Sequence, residues 1–246
     1  MKISIITVVY NNALTITDAI NSVLSQSYSD IEYIIIDGSS TDGTLSIIKE
    51  YGFRINKIIS EKDNSLYDAM NKGIIVATGE IIGILNSDDY FYDNDIISKV
   101  ALQFKNYEID AVIGDIIFVN KDGSKNIRKY SSKNWDPSKF AKGIMPPHPS
   151  FFVKRKLFFT LGFYRLDFLI ASDFELMVRF LLKNEIKWKY LNQIITKMLV
   201  GGVSNYSLKN RLLINKEIVK ACHLNGIKTN LFIIAFRYLH KLFEYI

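Results

Sequence analysis

Between residues 2 and 119 the chain alternates short β-branched and aliphatic runs with segments whose apolar positions recur every three to four residues. Few architectures accept that order. Each strand must cross through a helix to reach the next, so the chain is expected to form an α/β fold whose mainly parallel sheet is flanked by helices. The runs Lys2 to Val9, Ile31 to Ile36, Ile55 to Ser60, Glu80 to Leu85 and Ala111 to Val119 read as strands. Thr15 to Gln26, Thr44 to Tyr51, Leu66 to Ala77 and Asp95 to Asn106 have helical spacing. Polar clusters follow three of the strands: Tyr10-Asn11-Asn12, Asp37-Gly38-Ser39-Ser40 and Asn86-Ser87-Asp88-Asp89. Open α/β sheets bind ligands beyond the carboxyl ends of their strands, so a site is expected where these clusters meet.

The second half is organised differently. A polar stretch, Lys125 to Asp136, leads to Met145-Pro146-Pro147-His148-Pro149, which holds three of the four prolines. Ser172 to Lys183 reads as a helix with Ser172 as cap and Glu175 at capping-box spacing. Trp188 to Val200 reads as a strand, and two further helices close the chain. With 246 residues and 48% hydrophobic side chains, one substantial core is expected. We read residues 1–205 as one catalytic domain in two parts, about 1–120 and 121–205. Residues 206–246 read as a helical extension.

Four constellations carry possible chemistry. Asn86 to Asp89 places adjacent carboxylates at a strand exit, where a hard cation such as Mg²⁺ or Mn²⁺ would offset their repulsion. Taken alone, the run also reads as an Asx-type turn before the helix at Asp95. Asp37 is delivered by a buried strand into a Gly/Ser turn and is a candidate to accept hydrogen bonds from a base or ribose, while Asp42 reads as a cap for the next helix. Asp68, Asn71 and Lys72 share one helix edge, where Lys72 would meet a phosphate or simply pair with Asp68. Asp173 and Glu175 open a helix whose dipole favours acids. Asp173 is the candidate base for removing a proton from an attacking hydroxyl, with Glu175 a helix-start acid.

Together, Thr7 to Asn11, Asp37 to Thr44, Asp63 to Gly73, Asn86 to Asp89 and Ala171 to Glu175 resemble the family 2 glycosyltransferases, over about the first 205 residues. The resemblance implies a GT-A fold and inverting transfer of a sugar from a nucleotide sugar, first of all a UDP-sugar, to a glycan hydroxyl, with a divalent metal. It implies that Thr7, Tyr10 and Asp37 hold base and ribose, Asp88 the ribose side of the donor, and Asp89 the metal. It also makes Asp173 the general base, with Asn71 and Lys72 bordering the donor pocket. Gly201-Gly202-Val203-Ser204 resembles a loop near such sites, and His148 occupies a position near acceptor or metal, or else is a buried structural histidine. Many members carry Asp where this chain has Asn86, so metal binding is expected to rest on Asp89 with few protein ligands. The pattern is similar to that of transferases extending lipid-linked precursors of surface polysaccharides.

The remaining composition bears on compartment and partners. No run reaches the ~18 apolar residues of a membrane helix, and the apolar opening runs straight into Tyr10-Asn11-Asn12 with no cleavage site, so a cytoplasmic protein is expected. Cys222 is the single cysteine, and His148, His223 and His240 have no zinc spacing. The net charge of +6 is concentrated after Ser207, where seven Lys and Arg face two Glu. From Leu231 on, Phe232, Ile233, Phe236, Leu239, Leu242 and Phe243 recur at helical steps with Arg237 and Lys241 between them. Such a helix packs on its own domain or rests on the anionic cytoplasmic leaflet of the inner membrane. Two other functions compete: a nucleotidyltransferase, which lacks its Gly-rich first loop here, and a basic nucleic-acid-binding module, for which no motif is present and no nucleic-acid partner is expected.

Overall fold

A computed structural model describes residues 1–120, 122–200, 208–235 and 237. The first half forms β1 (Ile3–Val9), α1 (Ile16–Leu24), β2 (Ile31–Asp37), α2 (Thr44–Glu50), β3 (Lys57–Ser60), α3 (Leu66–Val76) and β4 (Ile81–Ile84). These four strands are mutually parallel in the order β3-β2-β1-β4. Successive residues of β1 are buried on both faces, as a strand covered by helices on two sides requires. Ile6 and Val8 join the cluster beneath α3, whereas Ile3, Ile5 and Val9 join the one beneath α1 and α2.

β5 (Asp89–Phe91), α4 (Ile96–Asn106), β6 (Ala111–Val119), β7 (Asn126–Tyr130), β8 (Phe152–Lys154), α5 (Lys156–Leu161), α6 (Ser172–Met177) and β9 (Trp188–Leu199) follow. Among the described residues all nine strands join one sheet, continuing β4-β8-β6-β9-β5 with β7 on β6. The parallel order ends at β8, which is antiparallel to both β4 and β6; β9 is parallel to β6, and β5 and β7 are antiparallel additions. The sheet is therefore parallel where the sequence alternates and mixed beyond it. β5 and β8 are three residues long, too short for a period, and β7 lies in the polar stretch that carried no strand signal.

Two helical expectations are corrected. Ser172 does not cap α6: Ala171 holds the cap position, and the Ser172 hydroxyl donates to the Arg165 carbonyl. Glu175 completes no capping box, and beyond Met177 the chain widens into a π-helical segment, Val178–Lys183. The C-terminal helices α7 (Leu208–Leu224) and α8 (Leu231–Ala235) follow. Ile218, Ala221 and Cys222 of α7 and Ile234 of α8 are buried in the same cluster as α3 and α6. The Gly201 to Ser204 loop, Phe236 and residues 238–246 of the amphipathic tail lie outside the described residues.

Gly73 explains how closely α3 approaches the sheet. A Cβ there would stand 2.4 Å from Ile6 Cγ2 and 3.4 Å from Ile36 Cγ1. Gly73→Ala gains about 1 kcal/mol of helix propensity but overpacks a filled core, which typically costs ~1–3 kcal/mol. Net destabilisation of up to about 2 kcal/mol is expected, read as a lower urea midpoint with an unchanged slope; a raised midpoint would show that α3 can lift away freely.

Candidate active site

The register Val9↔Asp37 ends β1 and β2 abreast, and Leu85 N bonds back to the Ile6 carbonyl, so the loops after β1, β2 and β4 share one end of the sheet. They are laced together. Asn11 Oδ1 accepts from Thr41 N (2.8 Å), Asn12 N donates to Thr44 Oγ1 (2.9 Å), and Asn12 Nδ2 donates to Ser87 Oγ (2.8 Å). Thr15 Oγ1 donates to the Ser87 carbonyl (2.7 Å). Asn11 and Ser39 hold φ of 48° and 64°, a left-handed backbone that non-glycine residues adopt sparingly and that concentrates at ligand-binding loops. Asp42 acts on the helix start, although Gly43 holds the cap position: Oδ1 accepts from Thr44 N and Oγ1, and Oδ2 from Ala13 N.

Within this end, the three residues expected around base and ribose separate. Tyr10 is 66% exposed, and a Cβ on Gly38 would stand 3.3 Å from its ring, so glycine lets the ring lie close over the turn. Thr7 is wholly buried, its hydroxyl 3.1 Å from that of Tyr33. It points into the core beneath α1 and α2 because it shares strand parity with Ile5 and Val9. Asp37 is also wholly buried: its carboxylate accepts from Ser60 Oγ (2.6 Å) and Ser40 N (3.2 Å). In this state it shapes the loop rather than presenting a free acceptor.

Lys72 and Asn71 are likewise engaged. The Lys72 ammonium lies 2.7 Å from Asp63, 2.8 Å from Glu61 and 3.9 Å from Asp68, and the Asp63 and Glu61 carboxylates hold its pKa above the ordinary lysine value. A cation surrounded by acids is not a free phosphate ligand, so that expectation is not met here. Asn71 clamps the backbone of Tyr164, donating from Nδ2 to its carbonyl (2.8 Å) and accepting from its N–H (3.0 Å).

Asp88 and Asp89 differ sharply in depth. Asp89 is 1% exposed; its Oδ2 accepts from Asn86 Nδ2 (3.2 Å), and burial, then the charge of Asp88, raises its pKa well above the usual carboxylate value. Asp88 is half-buried, and desolvation raises it too. Asp88 is therefore the more accessible member of the pair, and Asp89, the residue expected to hold the metal, lies behind it.

The second group gathers around Asp173 at the start of α6. Its Oδ1 accepts from Phe174 N (2.8 Å) and the Tyr67 hydroxyl (3.3 Å). Burial raises its pKa, while His148, Phe174 N–H and Tyr67 pull it down. Burial keeps the His148 pKa below its usual value, against the attraction of Asp173. His148 Nε2 lies 2.7 Å from the Tyr164 hydroxyl, and the Tyr67 and Tyr164 rings stack with centroids 5.7 Å apart. Glu175 is fixed by Arg179, whose guanidinium also donates to the carbonyls of Leu161, Gly162 and Phe163 and so holds the loop leading into Tyr164. α3 joins the two groups, with Lys72 tied to Asp63 beside Gly38 and with Tyr67 and Asn71 reaching the Asp173 side.

The family model "Glycosyl transferase family 2" matches residues 4–166, more than half of the chain. A PGL/p-HBAD biosynthesis glycosyltransferase of Mycobacterium tuberculosis (strain H37Ra) is 30% identical over 222 residues, covering 88% of this chain and 82% of that protein. The chain belongs to glycosyltransferase family 2. Two solved structures share its fold. S. aureus TarS 1–349 in complex with UDP-GlcNAc has a TM-score of 0.70 at 18% identity, over 99% of this chain and 73% of that one. The mannosyltransferase PcManGT of Pyrobaculum calidifontis, in complex with GDP-Man and Mn²⁺, has a TM-score of 0.68 at 17% identity, over 98% and 71%. The transferase thus has the GT-A type of fold, and family membership displaces both the nucleotidyltransferase and the nucleic-acid-binding alternatives.

A divalent cation fits the residues at the β4 exit. Asn86 Oδ1 and Asp89 Oδ1 are buried with no hydrogen-bond partner, an arrangement costing about 1–3 kcal/mol per group unless something satisfies it. Both are hard oxygen donors beside a second carboxylate, the donor type that Mg²⁺ and Mn²⁺ prefer. Among the described residues no three His, Cys, Asp or Glu gather as a metal cage, so a cation here takes few protein ligands. Tyr164 carries no local signal because its partnership with Asn71 spans 93 positions, and Tyr67 lies within the Asp63 to Gly73 stretch without a role assigned from sequence.

Proposed function

We propose that this transferase moves one sugar from a nucleotide sugar to a hydroxyl of a glycan acceptor with inversion, using a divalent cation and Asp173 as general base. The observation that carries the reading is the Asp173 carboxylate, raised by burial and oriented by Tyr67 and Phe174 N–H, in a chain of this family. A base needs a pKa closer to the working pH than a free carboxylate has, and burial moves it that way.

The exposed Tyr10 ring is the member of its group that a nucleobase meets directly, with Asp37 holding the turn behind it. Asp89 and Asn86, whose buried Oδ1 atoms lack a partner, would hold the cation, with Asp88 beside them toward the ribose side of the donor. When bound, the cation neutralises charge on the diphosphate as it leaves. Asp173 takes the acceptor's proton while the acceptor oxygen bonds to the anomeric carbon and the carbon–oxygen bond to the diphosphate breaks, releasing nucleoside diphosphate. His148, kept neutral by burial, and Tyr164 line that side and hold its shape.

TarS with UDP-GlcNAc bound supports a UDP-sugar as the first donor to test. A surface glycan precursor on a lipid is the proposed acceptor, reached from the cytoplasmic side by peripheral contact; no described helix is long and apolar enough to cross a membrane. A panel of nucleotide sugars with Mn²⁺ or Mg²⁺ tests the reaction. One donor is expected to raise Tm only with metal and to release nucleoside diphosphate slowly in water. Pyrophosphate as product, or no donor producing either response, would overturn the proposal.

A further inference from the structure

We infer that Glu217, on the C-terminal helix α7, is a positioning residue for the catalytic base. This rests on the reading of Asp173 as that base. The Glu217 carboxylate is buried and accepts three consecutive backbone N–H groups: Leu169 (2.7 Å), Ile170 (2.9 Å) and Ala171 (2.9 Å). Ala171 is the residue before α6, and Asp173 stands two positions on. The Ile170 carbonyl accepts the Tyr67 hydroxyl (2.5 Å), the same group that touches Asp173 Oδ1. One carboxylate therefore fixes the strip of backbone from which both Asp173 and its tyrosine partner take their positions.

The rest of α7 and the turn after it reinforce that hold. Lys220 reaches the carbonyl and carboxylate of Asp167, each at 2.8 Å, and Asn225 Nδ2 donates to Glu175 Oε1 (3.3 Å). Ile218, Ala221 and Cys222 anchor the helix in the core at three- and four-residue spacing. Amide donors converging on one carboxylate make strong charge-assisted bonds, and turning the carboxylate into an amide reverses one of its faces from acceptor to donor. Glu217→Gln thus sets an N–H against backbone N–H groups and lets the strip move. The α7 helix lies beyond the 4–166 family match, so the match itself assigns Glu217 no role.

The test compares Glu217→Gln, Asp173→Asn and the double variant in the full chain. Nucleoside diphosphate release is followed with the nucleotide sugar selected by the panel, and UDP with Mn²⁺ is the calorimetric probe. Misplacing a reacting group by about 1 Å costs on the order of 10²-fold, so Glu217→Gln is expected to lose about 10- to 100-fold in kcat. Its UDP affinity should stay within about twofold, since no donor-side group is touched. The double variant should be no slower than Asp173→Asn, because a residue acting only through the base has nothing left to position. A folded Glu217→Gln with wild-type kcat, or one whose loss multiplies with that of Asp173→Asn, overturns the inference. Normal turnover in Asp173→Asn would instead overturn the base assignment. If Glu217→Gln does not fold, Glu217→Asp carries the test: it keeps the charge but falls one methylene short. A several-fold fall in its kcat at unchanged UDP affinity supports the inference, and an unchanged kcat overturns it.

Discussion

Asp173→Asn is expected to lower turnover by about 10²–10⁴ while leaving donor binding intact, because the amide keeps the shape of the carboxylate but cannot accept a proton. The two measurements separate because, among the described residues, the loops after β1, β2 and β4 make no hydrogen bond to Asp173; its partners are Tyr67, Phe174 and the field of His148. Calorimetry should therefore return near-wild-type affinity for UDP with Mn²⁺ from a variant that barely turns over. The pH profile provides a second check. Burial raises the Asp173 pKa from its ordinary 3.8, so the active, deprotonated form is lost as pH falls through the raised value. The acidic limb of kcat/KM thus lies above the range of a free aspartate. Tyr67→Phe deletes a hydrogen bond that stabilises the charged form, and its limb should move higher still. Near-normal turnover in Asp173→Asn would remove this residue from the mechanism. Glu175 is no substitute, since Arg179 and Asn225 occupy its carboxylate.

Asp89→Asn is expected to abolish metal-dependent donor binding, and Asp88→Asn to weaken it by about 10- to 100-fold, the usual consequence of losing a group that supports a metal ligand. The ranking follows from the unsatisfied oxygen. Asp88 is the half-buried carboxylate; Asp89, at 1% exposure, lies behind it with one oxygen on Asn86 and the other without a partner. Titrating Mn²⁺ and UDP into each variant resolves the order. Full loss in Asp88→Asn with binding retained in Asp89→Asn would make the outer carboxylate the principal ligand. Wild-type binding in both would place the cation elsewhere.

Much of this molecule was legible in one dimension. The alternation of β-branched runs with helical spacing determined the four parallel strands and the helices on their two faces, because periodicity records which sides of an element avoid water. The clusters after Val9, Ile36 and Leu85 determined where the loops would converge, because parallel strands with crossover helices bring their carboxyl ends to one edge. The Ala171 to Glu175 run marked Asp173 as the candidate base at a helix start. Local pattern carried none of the partnerships. Thr7 belongs to a core face and Asp89 to the interior, decided by the sheet against which each residue packs. Lys72 sits among three acids, two of them in the preceding loop. Tyr164 meets Asn71 across 93 positions, and Glu217 meets Ala171 across 46, turning a helix that reads as an appendage into part of the site. A side chain's charge state and reach depend on neighbours that only the folded chain assembles, whereas the propensities and apolar periods written along the sequence act over a few residues at a time.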